Sequence, residues 1–269
     1  MSPATVVLEA PSRPRRRWIW ITVAAVTAFV IVAPVSLRLW LKTSHRNLSL
    51  PTQVYTQPLS QLQVAAPAGS VTIVPSRGRA VSVATSLSWD FAKPTVRQAV
   101  HGHTLRVAAR CPGPDVFEDC QVGLTIHVPA QLAVTVSAGS GSVAVTGLTG
   151  PVHLAVTSGS ITMTRVSGPV SANAGSGSIT GSGLDSPYVE TVIGSGSLQL
   201  GLGTVPQVLD VAIGSGSASV TLPSGARMKV LANSGSGSLV IAPRISDARA
   251  RGTLTATLGT GSLTVGYPS

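Results

Sequence analysis

From residue 61 onwards the chain consists largely of short segments in which apolar and polar residues alternate. Segments such as LQVAA, TLRVAAR and LTIHV place an apolar residue at every second position. This period is typical of strands that bury one face, and the glycines and prolines between the segments mark turns. No stretch after residue 60 shows a helical period of useful length. The pattern predicts an all-β domain.

A Gly-Ser corner recurs seven times in the second half, and its clearest copy is AGSGSVAVTG at residues 138–147. One glycine can be aligned in each copy, and a serine follows it every time. The copies are 18 to 24 residues apart, which is the spacing of a repeat fold. The aligned glycines are Gly141, Gly159, Gly177, Gly196, Gly216, Gly237 and Gly261.

Apolar residues flank each corner at fixed positions. The residues seven before and two after the glycine are apolar in all seven copies, whereas the interleaved positions are mostly Thr, Ser and Asn. The inward positions step by five across the corner, so regular extended geometry must be interrupted there, and glycine permits this. We therefore expect a parallel β-solenoid over residues 131–269 in which the glycines are structural corners; a β-sandwich is the alternative. Residues 61–130, with a fainter copy at AGSVTIV, would begin the same sheet system.

An apolar segment precedes the β region. The sequence WIWITVAAVTAFVIVAPVSL carries no charge, and as a helix it would span about 30 Å, the thickness of a bilayer core. Trp18, Trp20 and Trp40 flank it as interfacial anchors would. We expect a transmembrane helix at 18–41 that contacts the lipid bilayer, after a basic tail at 1–17 and before a linker at 42–60. A cleaved signal peptide is the weaker alternative.

The arginine cluster before this segment favours an inside amino terminus. The predicted localisation is therefore the cytoplasmic membrane, single-pass, with the β domain extracytoplasmic. The formal net charge is +10, of which +6 lies in residues 1–46 and +4 in residues 47–269. Most of the charge thus flanks the apolar segment and forms no binding stripe, which argues against nucleic acid.

Cys111 and Cys120, the only two cysteines, predict a disulfide that closes a small loop. Two buried thiols are the alternative, and a zinc site would need two further ligands. The loop contains Asp115, Glu118 and Asp119. These acidic residues could dock a basic partner, although a solvated turn is favoured.

The sequence gives little support for a phosphate-binding, calcium-binding or other metal site. No Gly-Ser corner is followed by Lys or leads into a helix, as a phosphate-binding loop requires. The repeated turns lack the Asp of calcium-binding repeats. A metal site formed by His101, His103 and His127 is disfavoured because nothing in the sequence places His127 near the other two. We predict no catalytic residue, no metal site and no cofactor.

The run from LTIHVPAQLAVTVSAGSGSVAVTG onwards resembles the bacterial putative-adhesin family of β-strand repeats. Its lead-in of Ile126 to Val134 includes Pro129, as in the family pattern. The resemblance covers residues 61–269 and implies a membrane-anchored or exported envelope protein without catalytic residues. Family corners often carry Asp after the glycine, whereas every copy here has Ser.

These observations favour a non-catalytic interaction or scaffold surface that contacts an envelope protein or glycan. The edge of the last coil, after Gly261, could support self-association. Sensing of envelope stress through a membrane partner is the alternative function. An enzyme acting on glycans is disfavoured, because residues 131–269 offer only Tyr188 and Tyr267 for stacking on sugars.

Overall fold

The computed structural model describes residues 21–29, 46–89, 92–112 and 120–268. The chain divides into two compact units, Met1–His45 and Arg46–Ser269. In the first unit the described residues form one helix, 21–29. The hydroxyl of Thr27 donates a hydrogen bond to the Val23 carbonyl at 2.8 Å, one turn earlier.

The structure contradicts the predicted membrane anchor in the part of the chain that it describes. Among the described residues no helix is both long enough and apolar enough to cross a bilayer. Of the predicted span at 18–41, residues 21–29 are the ones described. The predicted localisation as a single-pass membrane protein is therefore wrong. Trp18, Trp20 and Trp40 lie outside the described residues, as does the predicted tail at 1–17.

The second unit is nearly all β, which confirms the predicted all-β class. Its strands belong to one mixed sheet. The strands are β1 (Arg46–Tyr55), β2 (Gln61–Pro75), β3 (Val81–Trp89), β4 (Thr95–His101), β5 (Thr104–Arg110), β6 (Cys120–Val128), β7 (Ala133–Thr146), β8 (Val152–Thr164), β9 (Val170–Leu184), β10 (Tyr188–Leu202), β11 (Val208–Thr221), β12 (Lys229–Ser234), β13 (Ser238–Ile241) and β14 (Thr253–Gly266).

Seven long strands form a parallel ladder in the order β2-β7-β8-β9-β10-β11-β14. Each has 13 to 15 residues. Equivalent repeat positions lie opposite one another, so that Val134 pairs with Val152 and Val152 with Val170. Consecutive strands are joined by only a few residues, such as 147–151 between β7 and β8. So short a connection cannot run back along a straight strand of 14 residues, so each strand must bend at its corner.

The apolar pattern of the repeats becomes one continuous core. In β8, Val152, Leu154 and Val156 before the corner and Ile161 and Met163 after it are all buried. Full burial of an aliphatic side chain of this size stabilises by about 1.5–3 kcal/mol. The buried positions on the two sides of the corner, Val156 and Ile161, are therefore five residues apart, as the sequence predicts. Both halves of the strand face the same interior.

The corner glycines lie close against one another. Gly177 has φ of +131°, a region that L-residues rarely adopt. A Cβ atom there would overlap the carbonyl oxygen of Gly159, and one at Gly159 would overlap that of Gly141. Only glycine allows adjacent corners to approach this closely.

The first long strand of the ladder has two different neighbours on its outer side. The first half of β2 pairs with β5, from Gln61 opposite Thr104, and its second half pairs with β6, from Gly69 opposite Val122. Strands β5 and β6 thus occupy the place of one further long strand of the ladder. The Cys111–Cys120 disulfide links the residue after β5 to the first residue of β6, near the glycine corner of β2. The predicted disulfide is confirmed.

Antiparallel strands complete this end of the sheet. β4 pairs with β5, while β3 pairs with β6 and β1 pairs with β3. Tyr55 at the end of β1 donates a hydrogen bond to Gln98 Oε1 of β4 at 2.9 Å, and burial raises the pKa of its hydroxyl.

Residues 46–55, placed in the predicted linker, instead form β1. The prolines of that region suggested a linker, but Pro51 lies in an edge strand where the register shifts between Leu50 and Gln53. A proline is tolerated at such an irregularity because no ladder hydrogen bond is required of its nitrogen.

At the opposite end the strand order departs from the chain order. β14 pairs with β11 on one side and with β12 and β13 on the other. The expectation that the coil of Gly261 has an unpaired edge is therefore wrong. β14 keeps the full apolar pattern, with Leu254, Leu258 and Leu263 buried, whereas β12 is mostly exposed. The better-patterned repeat takes the inner position, where it can bury its apolar face.

Candidate functional site

A row of hydroxyl groups crosses the sheet beside the corner glycines. The serine that follows each glycine lies opposite its counterpart in the neighbouring strand, and the row continues into the antiparallel strands. We call this set the serine row. In spatial order it comprises Ser49, Ser86, Gly123, Ser70, Ser142, Ser160, Ser178, Ser197, Ser217, Ser262 and Ser238.

The row is regular because the strands set its spacing. Neighbouring strands lie about 4.8 Å apart, so the hydroxyl groups repeat at that interval. A second set of hydroxyls precedes the glycines, and within it Ser215 Oγ and Thr260 Oγ1 are hydrogen-bonded at 2.9 Å. Most of these side chains are exposed. The corner edge therefore presents a polar, uncharged surface of fixed period.

The row is interrupted once, at Gly123. A Cβ atom at this position would overlap the hydroxyl oxygen of Ser86, and the hydroxyl of Ser70 lies on the other side. Ser86 Oγ donates a hydrogen bond to the Gly123 carbonyl at 3.4 Å. The missing side chain at Gly123 leaves room for the Ser86 hydroxyl, which lies where the Cβ atom would be.

Gly123 and its neighbours in the row line a cleft of about 880 Å³ at the β1, β3 and β6 end of the row. We call it the serine cleft. Hydroxyl and amide side chains and backbone groups supply its polar atoms, and among the residues that the structure describes none of those lining it has an ionisable side chain. Its polar side chains are Asn47, Ser49, Ser70, Ser86, Ser88, Gln121, Ser140 and Ser142.

The disulfide forms part of the wall. Cys111 and Cys120 both line the cleft, and their Cα atoms are 6.0 Å apart. Because Cys111 directly follows β5 and Cys120 is the first residue of β6, the covalent link fixes the distance between these two strands where they reach the cleft. An uncharged, rigid wall of hydroxyl donors and acceptors suits a neutral ligand that itself carries many hydroxyl groups.

Six of the seven glycines predicted as corners share one geometry. Gly141, Gly159, Gly177, Gly196, Gly216 and Gly261 have positive φ and lie in register. Gly69 of the fainter copy joins them, with φ of +121°. Gly237 does not adopt this φ, and it lies between β12 and β13, where the edge strand is interrupted.

The three histidines do not come together. His101 is the last residue of β4, and His103 lies in the turn between β4 and β5. His127 lies on β6, which pairs with neither β4 nor β5. His103 Nδ1 is 2.9 Å from the Pro58 carbonyl oxygen. Within the described ranges, no group of three metal-ligating side chains is found. Asp115, Glu118 and Asp119 lie outside these ranges.

Several residues of the cleft are not predicted by the sequence pattern. Ser49, Ser86 and Gln121 belong to strands that pair antiparallel and far apart in sequence, so the repeat spacing does not reveal them. The available signal was the pair of similar segments NLS at residues 47–49 and SLS at 86–88. Each places polar side chains on either side of one leucine, as expected of neighbouring strands with a polar outer face.

No family model matches the sequence, and no curated protein matches it. Among solved structures, a putative cell adhesion protein from Clostridium sporogenes ATCC 15579 is similar over 81% of this chain and 99% of its own, at 10% identity and a TM-score of 0.38.

Two further structures show a likeness of the same degree. One is a putative adhesin from Bacteroides fragilis NCTC 9343, with 11% identity, a TM-score of 0.35 and coverage of 83% of this chain and 97% of the other. The other is a putative lipid binding protein from Parabacteroides distasonis ATCC 8503, with 9% identity, a TM-score of 0.33 and coverage of 82% and 96%. The structures similar to this chain thus include putative adhesins, the family that its corner motifs resemble.

Proposed function

We propose that this chain is a non-catalytic, adhesin-like interaction protein whose repeats form a rigid β-solenoid. The parallel pairing of seven long strands with their corners in register supports the solenoid. Backbone hydrogen bonds between successive coils make such a stack stiff along its axis. Its role is to hold a surface in a fixed shape.

The contact surface we propose is the serine row, with the serine cleft as its deepest part. The polar side chains that the described residues bring to the cleft lining are eight uncharged hydroxyl and amide groups, and this carries the proposal. A charged ligand would lose hydration against these groups without gaining a counter-charge from them. A neutral glycan of the cell envelope would exchange its hydrogen bonds with water for bonds to Ser and Gln side chains at little cost.

Binding at a single cleft is expected to be weak. The described residues that line the cleft offer no aromatic side chain on which a sugar ring could stack, so we expect a dissociation constant on the order of a millimolar for a short oligosaccharide. The repeated hydroxyls of the serine row would add contacts for a longer chain, which raises its apparent affinity.

The test is a titration of the protein with neutral linear hexasaccharides such as cellohexaose and N-acetylchitohexaose, followed by NMR of the backbone amides. We expect shifts at Ser70, Ser86 and Gly123. The double variant Ser86→Ala/Gln121→Ala should weaken binding, whereas Thr146→Ala/Thr164→Ala, four residues beyond the serine row on β7 and β8, should not. Equal weakening by both variants, or shifts confined to other surfaces, would show that the cleft is not the site.

A further inference from the structure

The C-terminal end of the sheet carries all the net charge of the β region. Residues 223–252 contain five basic side chains and one acidic one, whereas the rest of residues 47–269 contains seven of each. We call the five basic residues the basic cap. They are Arg227, Lys229, Arg244, Arg249 and Arg251.

Two loops bring part of the basic cap together. The first connects β11 to β12 and the second connects β13 to β14. Met228 N donates to the Ile245 carbonyl at 2.8 Å, and Asp247 N donates to the Met228 carbonyl at 3.0 Å. Arg227, Arg244 and Arg249 consequently line one open pocket of about 580 Å³.

The one acidic residue of residues 223–252, Asp247, forms hydrogen bonds with two of the basic residues. Asp247 Oδ1 accepts a hydrogen bond from Arg249 N at 2.9 Å, and Oδ2 accepts one from Arg227 Nη1 at 3.4 Å. These bonds, first to the backbone of Arg249 and then to the side chain of Arg227, lower the pKa of the Asp247 carboxyl. It stays ionised near neutral pH and offsets one of the five positive charges.

The remaining cations of the cap have no counter-charge in the part of the chain that the structure describes, where Arg227 and Asp247 form the ion pair of this region. Arg244, Arg249 and Arg251 are exposed. Like charge at this edge disfavours docking of a second, identical cap, since two such surfaces would repel each other.

We propose that the basic cap binds a phosphate-bearing polymer whose phosphate groups are held by Arg227, Arg244 and Arg249. The planar guanidinium group presents paired N–H donors that match phosphate oxygens. Three such groups around one pocket can serve a tetrahedral anion better than a carboxylate, which has only two oxygens. This site lies at the opposite edge of the sheet from the serine cleft and goes beyond the function proposed above.

The experiment is a fluorescence-anisotropy titration of the full chain with end-labelled inorganic polyphosphate. Polyglutamate, orthophosphate and phosphatidylcholine vesicles containing phosphatidylglycerol serve as the other ligands. Arg244→Gln/Arg249→Gln should weaken polyphosphate binding at least about tenfold, because two charge-assisted contacts are lost. The matched control is Arg77→Gln/Arg79→Gln, which removes the same charge from an exposed turn after β2 and should leave the affinity within about twofold.

A third variant separates binding from loop structure. Asp247→Asn keeps an acceptor for Arg249 N but removes the negative charge and frees Arg227, so it should raise the affinity about threefold or more. A loss of affinity in this variant would overturn the proposal. So would equal binding of polyglutamate, binding only to vesicles or only to orthophosphate, or the same loss in the Arg77/Arg79 control.

Discussion

At the scale of single residues, the corner glycines are the most constrained positions of the chain. All of them except Gly237 combine a positive φ with a Cβ position that the carbonyl oxygen of the neighbouring corner occupies. Backbone strain and a backbone clash therefore act together at Gly177. At Gly102, in the turn between β4 and β5, φ is also positive, but nothing lies within 4 Å of the Cβ position.

Gly177→Ala should consequently lower the free energy of unfolding by about 3 kcal/mol or more, because an L-residue cannot relieve both the strain and the clash. Gly102→Ala should cost only about 1 kcal/mol, the penalty of the left-handed conformation alone. Urea unfolding of the two variants measures the difference. Equal losses would mean that the corners are not in close backbone contact.

A second prediction concerns Thr85, in the core face of β3. Its side chain is 4% exposed, and among the described residues its hydroxyl has no hydrogen-bond partner. Thr85→Val keeps the shape and removes the unsatisfied group, so it should stabilise by about 1 kcal/mol. Thr125→Val, on the exposed face of the adjacent strand, should change stability by less than about 0.5 kcal/mol. Thermal unfolding compares the two, and a destabilised Thr85→Val protein would reveal a partner for that hydroxyl.

At the scale of elements, local periodicity determines what the sequence can predict. The spacing of residues 138–200 is nearly constant and its inward positions are apolar, so strands β7 to β10 and their corners follow from the sequence. β1 does not, because its pairing with β3 depends on residues some 35 positions away and its proline resembles a linker signal. Ser49 and Ser86 of the serine cleft are not predicted for the same reason, because they lie on strands that pair over a long sequence separation.

The disulfide joins β5 to β6, the two strands that together take the place of one further long strand beside β2. Reduction of Cys111–Cys120 should lower the free energy of unfolding by about 2–3 kcal/mol, the loop-closure entropy of a ring this short. Urea denaturation with and without reductant provides the measurement. The Cys111→Ser/Cys120→Ser protein should match the reduced protein and show no response to reductant; a response there would point to another effect of the reductant.

At the scale of the whole molecule, the strand order of the C-terminal region is unusual for a repeat array. The last repeat along the chain lies inside the sheet, and the sixth repeat forms the edge and carries the basic cap. Ser217 therefore lies opposite Ser262 and not opposite Ser238. If the strands were stacked in chain order, Ser217 would lie opposite Ser238 and not opposite Ser262.

Cysteine cross-linking tests this order in a protein whose native cysteines are changed to serine. Ser217→Cys/Ser262→Cys should oxidise readily to an intramolecular disulfide, since adjacent strands lie about 4.8 Å apart. Ser217→Cys/Ser238→Cys should not, because β14 separates the two positions. Efficient cross-linking of the second pair with none of the first would place β12 and β13 next to β11.

The central claim is that the corners stack in register along one axis. Spin labels at Ser142 and Ser217 test it most directly, because these positions are four strand steps apart in the serine row. Pulsed electron–electron distance measurement should give a narrow distribution centred at about 19 Å, four times the spacing between strands. A broad distribution, or one centred beyond about 30 Å, would contradict the stack.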